Sequence, residues 1–122
     1  MKQYLLECDC GFTDSNTVAI TNAIDIEQAE VLQLPREEAR RQLGLDPRAR
    51  MVGALGRLMP VKWQIYLVQA YVRLKDKYPE AQLAIIGKGR EEARLRSEGE
   101  RLGLQGRMHL LGYRENALQF VR

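Results

Sequence analysis

The chain has 122 residues, enough for one compact domain and too few for two. Hydrophobic residues make up 45% and charged residues 29%, so a packed globular fold is expected and disorder is not. There is no run of about 18 apolar residues to span a bilayer, and residues 1–10 lack the basic-then-apolar layout of a signal peptide. A cytoplasmic location is expected. The net charge of +3 is unevenly spread, with −5 over residues 1–30 and +8 over residues 31–122. The positive portion suits an anionic partner: a nucleotide, a nucleic acid or a lipid headgroup surface. An Arg-rich, solvated helical surface accounts for it equally well.

Residues 1–15 read as an N-terminal tail or interdomain remnant, with the end of a helix over residues 4–7 and a turn-rich stretch over residues 11–16. Thr17-Val18-Ala19-Ile20-Thr21 alternates as a short strand and exits through a turn at residues 22–25. Residues 35–44 carry the marks of a complete helix. Pro35 opens it, Glu37 and Glu38 sit in the first turn, Arg40 and Arg41 in the last, and Gly44 stops it. Met51-Val52-Gly53-Ala54-Leu55-Gly56 reads as a strand covered on both faces. A long helix is predicted over residues 63–78, with Leu67, Ala70, Tyr71, Leu74 and Tyr78 as its buried stripe. Pro79 ends it.

Gln82-Leu83-Ala84-Ile85-Ile86-Gly87 is the next buried strand, followed by a charged helix over residues 90–102 that Gly103 closes. A fourth strand is predicted over residues 108–112, and the start of a further helix at Asn116. Strands alternating with crossover helices imply an α/β fold of doubly wound, Rossmann-like type: a parallel sheet with helices on both faces, filling residues 16–122.

Several chemistries are excluded by residue type. Cys8 and Cys10 stand too close in sequence for an unstrained disulfide, and no second Cys or His pair completes a zinc site. The single histidine, His109, lies in an apolar run, so neither a His-based metal site nor a Ser/His/Asp or Cys/His centre is expected from this chain alone.

Ligands of doubly wound sheets bind beyond the carboxyl ends of the strands. Two loops there deliver cations just before a helix. Gly56-Arg57-Leu58-Met59-Pro60-Val61-Lys62 places Arg57 and Lys62 about the start of the long helix, and Gly87-Lys88-Gly89-Arg90 allows close backbone approach at the next. Free N–H groups and the positive dipole end favour phosphate there, with a forked contact from Arg57 and a point charge from Lys62. Tight turns bearing solvated cations would give the same spacing. No G-x-x-x-x-G-K-[ST] is present, and the glycines of residues 87–89 lack the third member of a dinucleotide loop.

The segment from Gly56 to Lys62 resembles the G-R-L-x-x-x-K stretch of retaining, group 1 GT-B glycosyltransferases. Four further stretches agree in order. Val18-Ala19-Ile20-Thr21-Asn22-Ala23-Ile24-Asp25 is similar to V-I-P-N-G-I-D, and residues 40–45 to an R-x-x-L-G-L helix end. Leu83-Ala84-Ile85-Ile86-Gly87-Lys88-Gly89 is similar to L-x-I-V-G-x-G, and Arg107-Met108-His109-Leu110-Leu111-Gly112 to R-V-x-F-L-G. Together they cover nearly the whole chain.

The resemblance implies part of the family's C-terminal, donor-binding domain. Gly56, Arg57 and Lys62 would then hold the diphosphate of a nucleotide-sugar. The loops of Gly87, Gly89, Gly112 and Tyr113 would lie about the nucleotide, the last pair near its base. It also implies transfer without a bound metal or cofactor, in surface or envelope polysaccharide synthesis, with the full enzyme in peripheral contact with the inner face of the membrane.

The sequence departs from the family at three points. It stops before the family's glutamate segment and lacks the N-terminal acceptor domain, so the chain alone is expected to be inactive. Trp63 follows the lysine where the family has glycine, and Ala23 replaces the glycine of N-G-I-D. A sheet cut short would leave an open edge that favours self-association. The other readings are a nucleotide- or phosphate-binding module without catalysis and a nucleic-acid binder. Against the last, Trp63, Tyr66, Tyr71 and Tyr78 fall mainly in one helix, two of them in its buried stripe, and form no exposed stacking platform.

Overall fold

A computed structural model of the chain describes residues 2–8 and 10–121. In chain order the elements are α1 (Lys2–Glu7), α2 (Ile26–Leu32), α3 (Arg36–Gln42), β1 (Arg50–Leu55), α4 (Gln64–Lys77), β2 (Ala81–Ile86), α5 (Glu92–Arg101) and β3 (Met108–Leu110). Short 3-10 turns at Pro60–Lys62 and Ala117–Phe120 complete the list. The three strands form one parallel sheet in the order β1-β2-β3, with α4 and α5 as the crossovers.

Strand alternation divides the apolar residues between two faces. Leu83 and Ile85 of β2 stand in register with Val52 and Ala54 of β1, and with Met108 and Leu110 of β3. This face packs on Ile65, Val68 and Tyr71 of α4 and on Leu95 of α5, and it holds the core. Leu83, Val68 and Leu95 are fully buried, so truncating Leu83 to Ala would cost about 2–5 kcal/mol. The Tyr71 hydroxyl donates to the Ala81 carbonyl, which satisfies the one polar atom that its ring carries inside. The two crossover helices are tied by Gln69, which donates to Glu98 at 3.0 Å, and by Lys75, which donates to the Leu102 carbonyl at 3.1 Å. Arg101 and Gln69 together hold the Glu98 carboxyl down to about 2.

The opposite face carries Met51, Ala84, Ile86 and His109, and α3 covers it in part. The α3 helix follows its sequence signals. Gly44 takes φ +67 and the Leu45 N–H donates to the Arg40 carbonyl at 2.9 Å, closing the helix end. The buried Arg40 side chain donates to the Pro47 carbonyl, and loss of water followed by repulsion from Arg36 lowers its pKa.

The structure corrects three expectations and adds one helix. Residues 17–25 form no strand: Val18 and Ile20 are 78% and 84% exposed, and β propensity without a neighbouring strand leaves the segment irregular. The described sheet therefore has three strands. In α4 the buried residues are Gln64, Ile65, Val68 and Tyr71, while Ala70 and Leu74 are exposed. The helix is apolar on two adjoining flanks, and the sheet and α5 take the one that includes Val68. The predicted helix after Asn116 is a single 3-10 turn, with Arg122 outside the described residues. The helix α2 lies beyond the expected turn, where no element was predicted, capped by the Asp25 carboxylate, which accepts from the Gln28 N–H at 3.0 Å. Among the described residues, no helix is long and apolar enough to cross a membrane.

Candidate functional site

The carboxyl ends of β1, β2 and β3 open into three loops that pack as one layer. Gly87 has φ +151, and a Cβ there would stand 1.9 Å from the Gly56 carbonyl oxygen; at Gly89 it would stand 2.2 Å from that of Leu58. Main-chain bonds lock the layer. Gly56 N–H donates to Ile86 at 3.0 Å, Leu58 N–H to Lys88 at 3.1 Å, and Gly87 N–H to Gly112 at 2.8 Å. The glycines thus let strand-end loops touch backbone to backbone. The N–H groups of Arg57, Lys88 and Gly89 make no hydrogen bond within the described residues.

Above this layer lies a cavity of about 630 Å³. Leu55, Ile86, Met59 and Ala117 give it apolar walls, and Arg57, Lys88 and Arg114 bring three cations, while no Asp or Glu lines it. Tyr113 flanks it with the Lys88 ammonium 5.2 Å from the ring centroid, a cation–π contact that positions both side chains. Among the described residues no carboxylate pairs with Arg57, Lys88 or Arg114. The arginines of α5 differ. Arg94, Arg96 and Arg101 each pair with a glutamate of their own helix region, so part of the positive surface is self-compensated. The cavity surface itself is almost wholly apolar, and the unpaired cations belong to residues at its border, an arrangement that suits an anion attached to a less polar group.

The residues singled out from sequence divide. Gly56, Arg57, Gly87, Gly89 and Tyr113 come together on the cavity wall. Gly112 stands behind it, its carbonyl accepting from Gly87. Lys62 is exposed at the end of the Pro60–Lys62 turn and does not line the cavity. Lys88 and Arg114 line it but were not among the residues assigned to it. Lys88 lies inside the Gly-Lys-Gly stretch, so its position was readable; Arg114 follows Gly112, whose left-handed φ of +69 spacing does not reveal.

Trp63 also stays off this wall. It takes φ 55, in the left-handed region that favours glycine, and stacks on Tyr66 at a centroid distance of 5.3 Å. Both rings are 59% exposed. An exposed stacked pair therefore exists, contrary to the sequence reading, while Tyr71 is buried and Tyr78 half-buried as that reading held.

Other reactive residues lie apart. Cys8 and Cys10 are free thiols. On the α3 side of the sheet His109 shares a 3.0 Å hydrogen bond with the Gln82 side chain, and burial lowers its pKa. Among the described residues no three His, Cys, Asp or Glu side chains gather as a metal site would require.

Comparison with known proteins places the chain in a family. Residues 35–121 match the family described as glycosyl transferases group 1. An uncharacterized glycosyltransferase of Methanocaldococcus jannaschii is 29% identical over 109 residues, 88% of this chain and 26% of the relative. The D-inositol 3-phosphate glycosyltransferase of Corynebacterium jeikeium is 35% identical over 75 residues, 56% of this chain and 18% of that protein. The Anabaena protein HepE, solved with UDP and glucose and with UDP-glucose, superposes at a TM-score of 0.70 and 26% identity. The match covers 89% of this chain and 30% of HepE. The chain thus spans about a quarter of the first relative's length, and its Rossmann-like α/β fold is that of GT-B glycosyltransferases. It belongs to the group 1 glycosyl transferases.

Proposed function

We propose that this chain is the donor-binding part of a glycosyltransferase and that the cavity at the strand ends holds the diphosphate of a nucleotide-sugar. The observation that carries this is the set of three cations, Arg57, Lys88 and Arg114, around a cavity that no carboxylate lines. The likeness to HepE, solved with UDP and with UDP-glucose, supports a uridine nucleotide as the first one to test.

In this reading Arg57 grips the phosphate oxygens in a fork, and the free amides of Lys88 and Gly89 add donors. Lys62 reaches in from beyond the wall on its flexible stem, and Tyr113 borders the base. As the bond between the sugar and the diphosphate breaks, negative charge builds on the leaving group. Cations fixed beforehand stabilise that charge more in the transition state than in the bound donor.

Most of the acceptor site belongs to the rest of the enzyme, so the chain alone binds donor and transfers no sugar. The wider task in this reading is synthesis of a surface or envelope polysaccharide. Calorimetry with UDP and uridine tests the diphosphate assignment. UDP is expected to bind at least about tenfold more tightly, the worth of one charged hydrogen bond. Equal affinities would overturn it.

A further inference from the structure

Next to the cation-lined cavity, and sharing Met59 with it, lies a second cavity of about 280 Å³. Trp63 and Tyr66 line it about the start of α4, Gln69 from the next turn, Glu91 from the residue just before α5 and Arg94 from its first turn. The two rings are nearly parallel, 22° apart, and each is exposed over more than half its surface. Trp63 also keeps a left-handed backbone conformation although its ring gains little burial. Strain without compensating packing is characteristic of functional positions.

The polar wall has a definite character. Glu91 and Arg94 pair at 3.0 Å, so the wall carries no net charge and does not select for an anion. The pair still presents acceptor oxygens beside guanidinium donors. Gln69 donates to Glu98, leaving its amide oxygen to accept. Neighbouring hydroxyls on a ring need such adjacent donors and acceptors, and the C–H faces of that ring suit an aromatic platform. A neutral pyranose has both features. A nucleobase stacks as well but lacks the vicinal hydroxyls.

We propose that Trp63, Tyr66, Glu91 and Arg94 form a saccharide-binding site beside the donor cavity, which takes one neutral pyranose unit of the glycan acceptor or product. The source of the sugar rests on the glycosyl-transfer reading; the site itself rests on the geometry.

Trp63 is the only tryptophan, so its indole N–H gives a single, assigned NMR signal. The labelled 122-residue chain would be titrated with methyl glucopyranoside, methyl mannopyranoside, methyl galactopyranoside and N-acetylglucosamine to roughly 100 mM, which detects binding weaker than millimolar. At least one saccharide is expected to move the indole signal saturably. Tyr66→Ala and Glu91→Gln should each weaken that response about tenfold, while UDP-induced shifts at Gly56 and Arg57 persist. Absence of a saturable response to every saccharide overturns the proposal, and so does tighter binding of uridine, which would mark a base-stacking platform. Because UDP shifts are read at different residues, either failure leaves the donor reading to stand or fall on its own.

Discussion

The α-carbon of Gly87 lies so close to the carbonyl oxygen of Gly56 that any side chain would overlap it: an added Cβ would stand 1.9 Å away. Two strand-end loops are thereby joined, and the cavity above them inherits its shape from that contact. Gly56 takes nearly the same φ, +147 against +151, yet has open space around it. The two glycines separate conformational strain from crowding.

Gly56→Ala should accordingly cost about 1–3 kcal/mol, the strain of an unfavourable φ. Gly87→Ala adds overlap with main-chain atoms and should exceed about 4 kcal/mol, leaving much of the chain unfolded. Urea melts of the two variants check this, and equal destabilisation would refute the crowding argument.

Arg57→Ala should weaken UDP binding by about 1.5–3 kcal/mol, as expected for a lost hydrogen bond to a charged group. Lys62→Ala should weaken it less, because Lys62 stands off the cavity wall. Calorimetry on folded variants decides, and unchanged affinity for Arg57→Ala would remove that residue from the site.

Trp63 provides a test of stored strain. Trp63→Ala and Trp63→Gly both delete the ring, but only glycine adopts φ 55 freely. The glycine variant should be the more stable by about 1 kcal/mol. Equal denaturation midpoints would show that the left-handed conformation carries no cost.

His109 gives a pH dependence with a definite sign. Burial depresses its folded pKa, so at mildly acidic pH the unfolded chain binds a proton that the folded chain refuses. Stability from this source is intact above the unfolded value of about 6.5 and is lost as pH falls from there toward the folded pKa. His109→Asn should lose less stability between about pH 7 and about pH 5 than the parent chain does. Parallel losses in the two proteins would contradict this.

Much of this architecture was legible in the residues. The runs about Val52 and Ile85 marked buried strands, and Pro35, Glu37 and Gly44 bounded a helix, because these signals act locally. The segment around Val18 and Ile20 misled because a strand exists only beside another, and among the described residues none pairs with it. The helix at Ile26–Leu32 was missed although Asp25 followed three residues later by Gln28 is a capping pattern. In the site, Arg57 and the glycines followed from spacing. Arg114 did not, since the left-handed conformation of Gly112 that precedes it cannot be read from spacing. The stacking of Trp63 on Tyr66 was hidden for a similar reason: a left-handed residue breaks the helical spacing from which side-chain directions are read.

The central claim is that the three strand-end loops form one nucleotide-diphosphate site. A backbone-amide NMR titration of the labelled chain with UDP, GDP and ADP tests it most directly. The account predicts shifts gathered at Gly56 and Arg57, at Gly87, Lys88 and Gly89, and at Tyr113 and Arg114, with the tightest nucleotide naming the donor class. A well-dispersed spectrum in which those amides stay still, with all three nucleotides near roughly 10 mM, would contradict it.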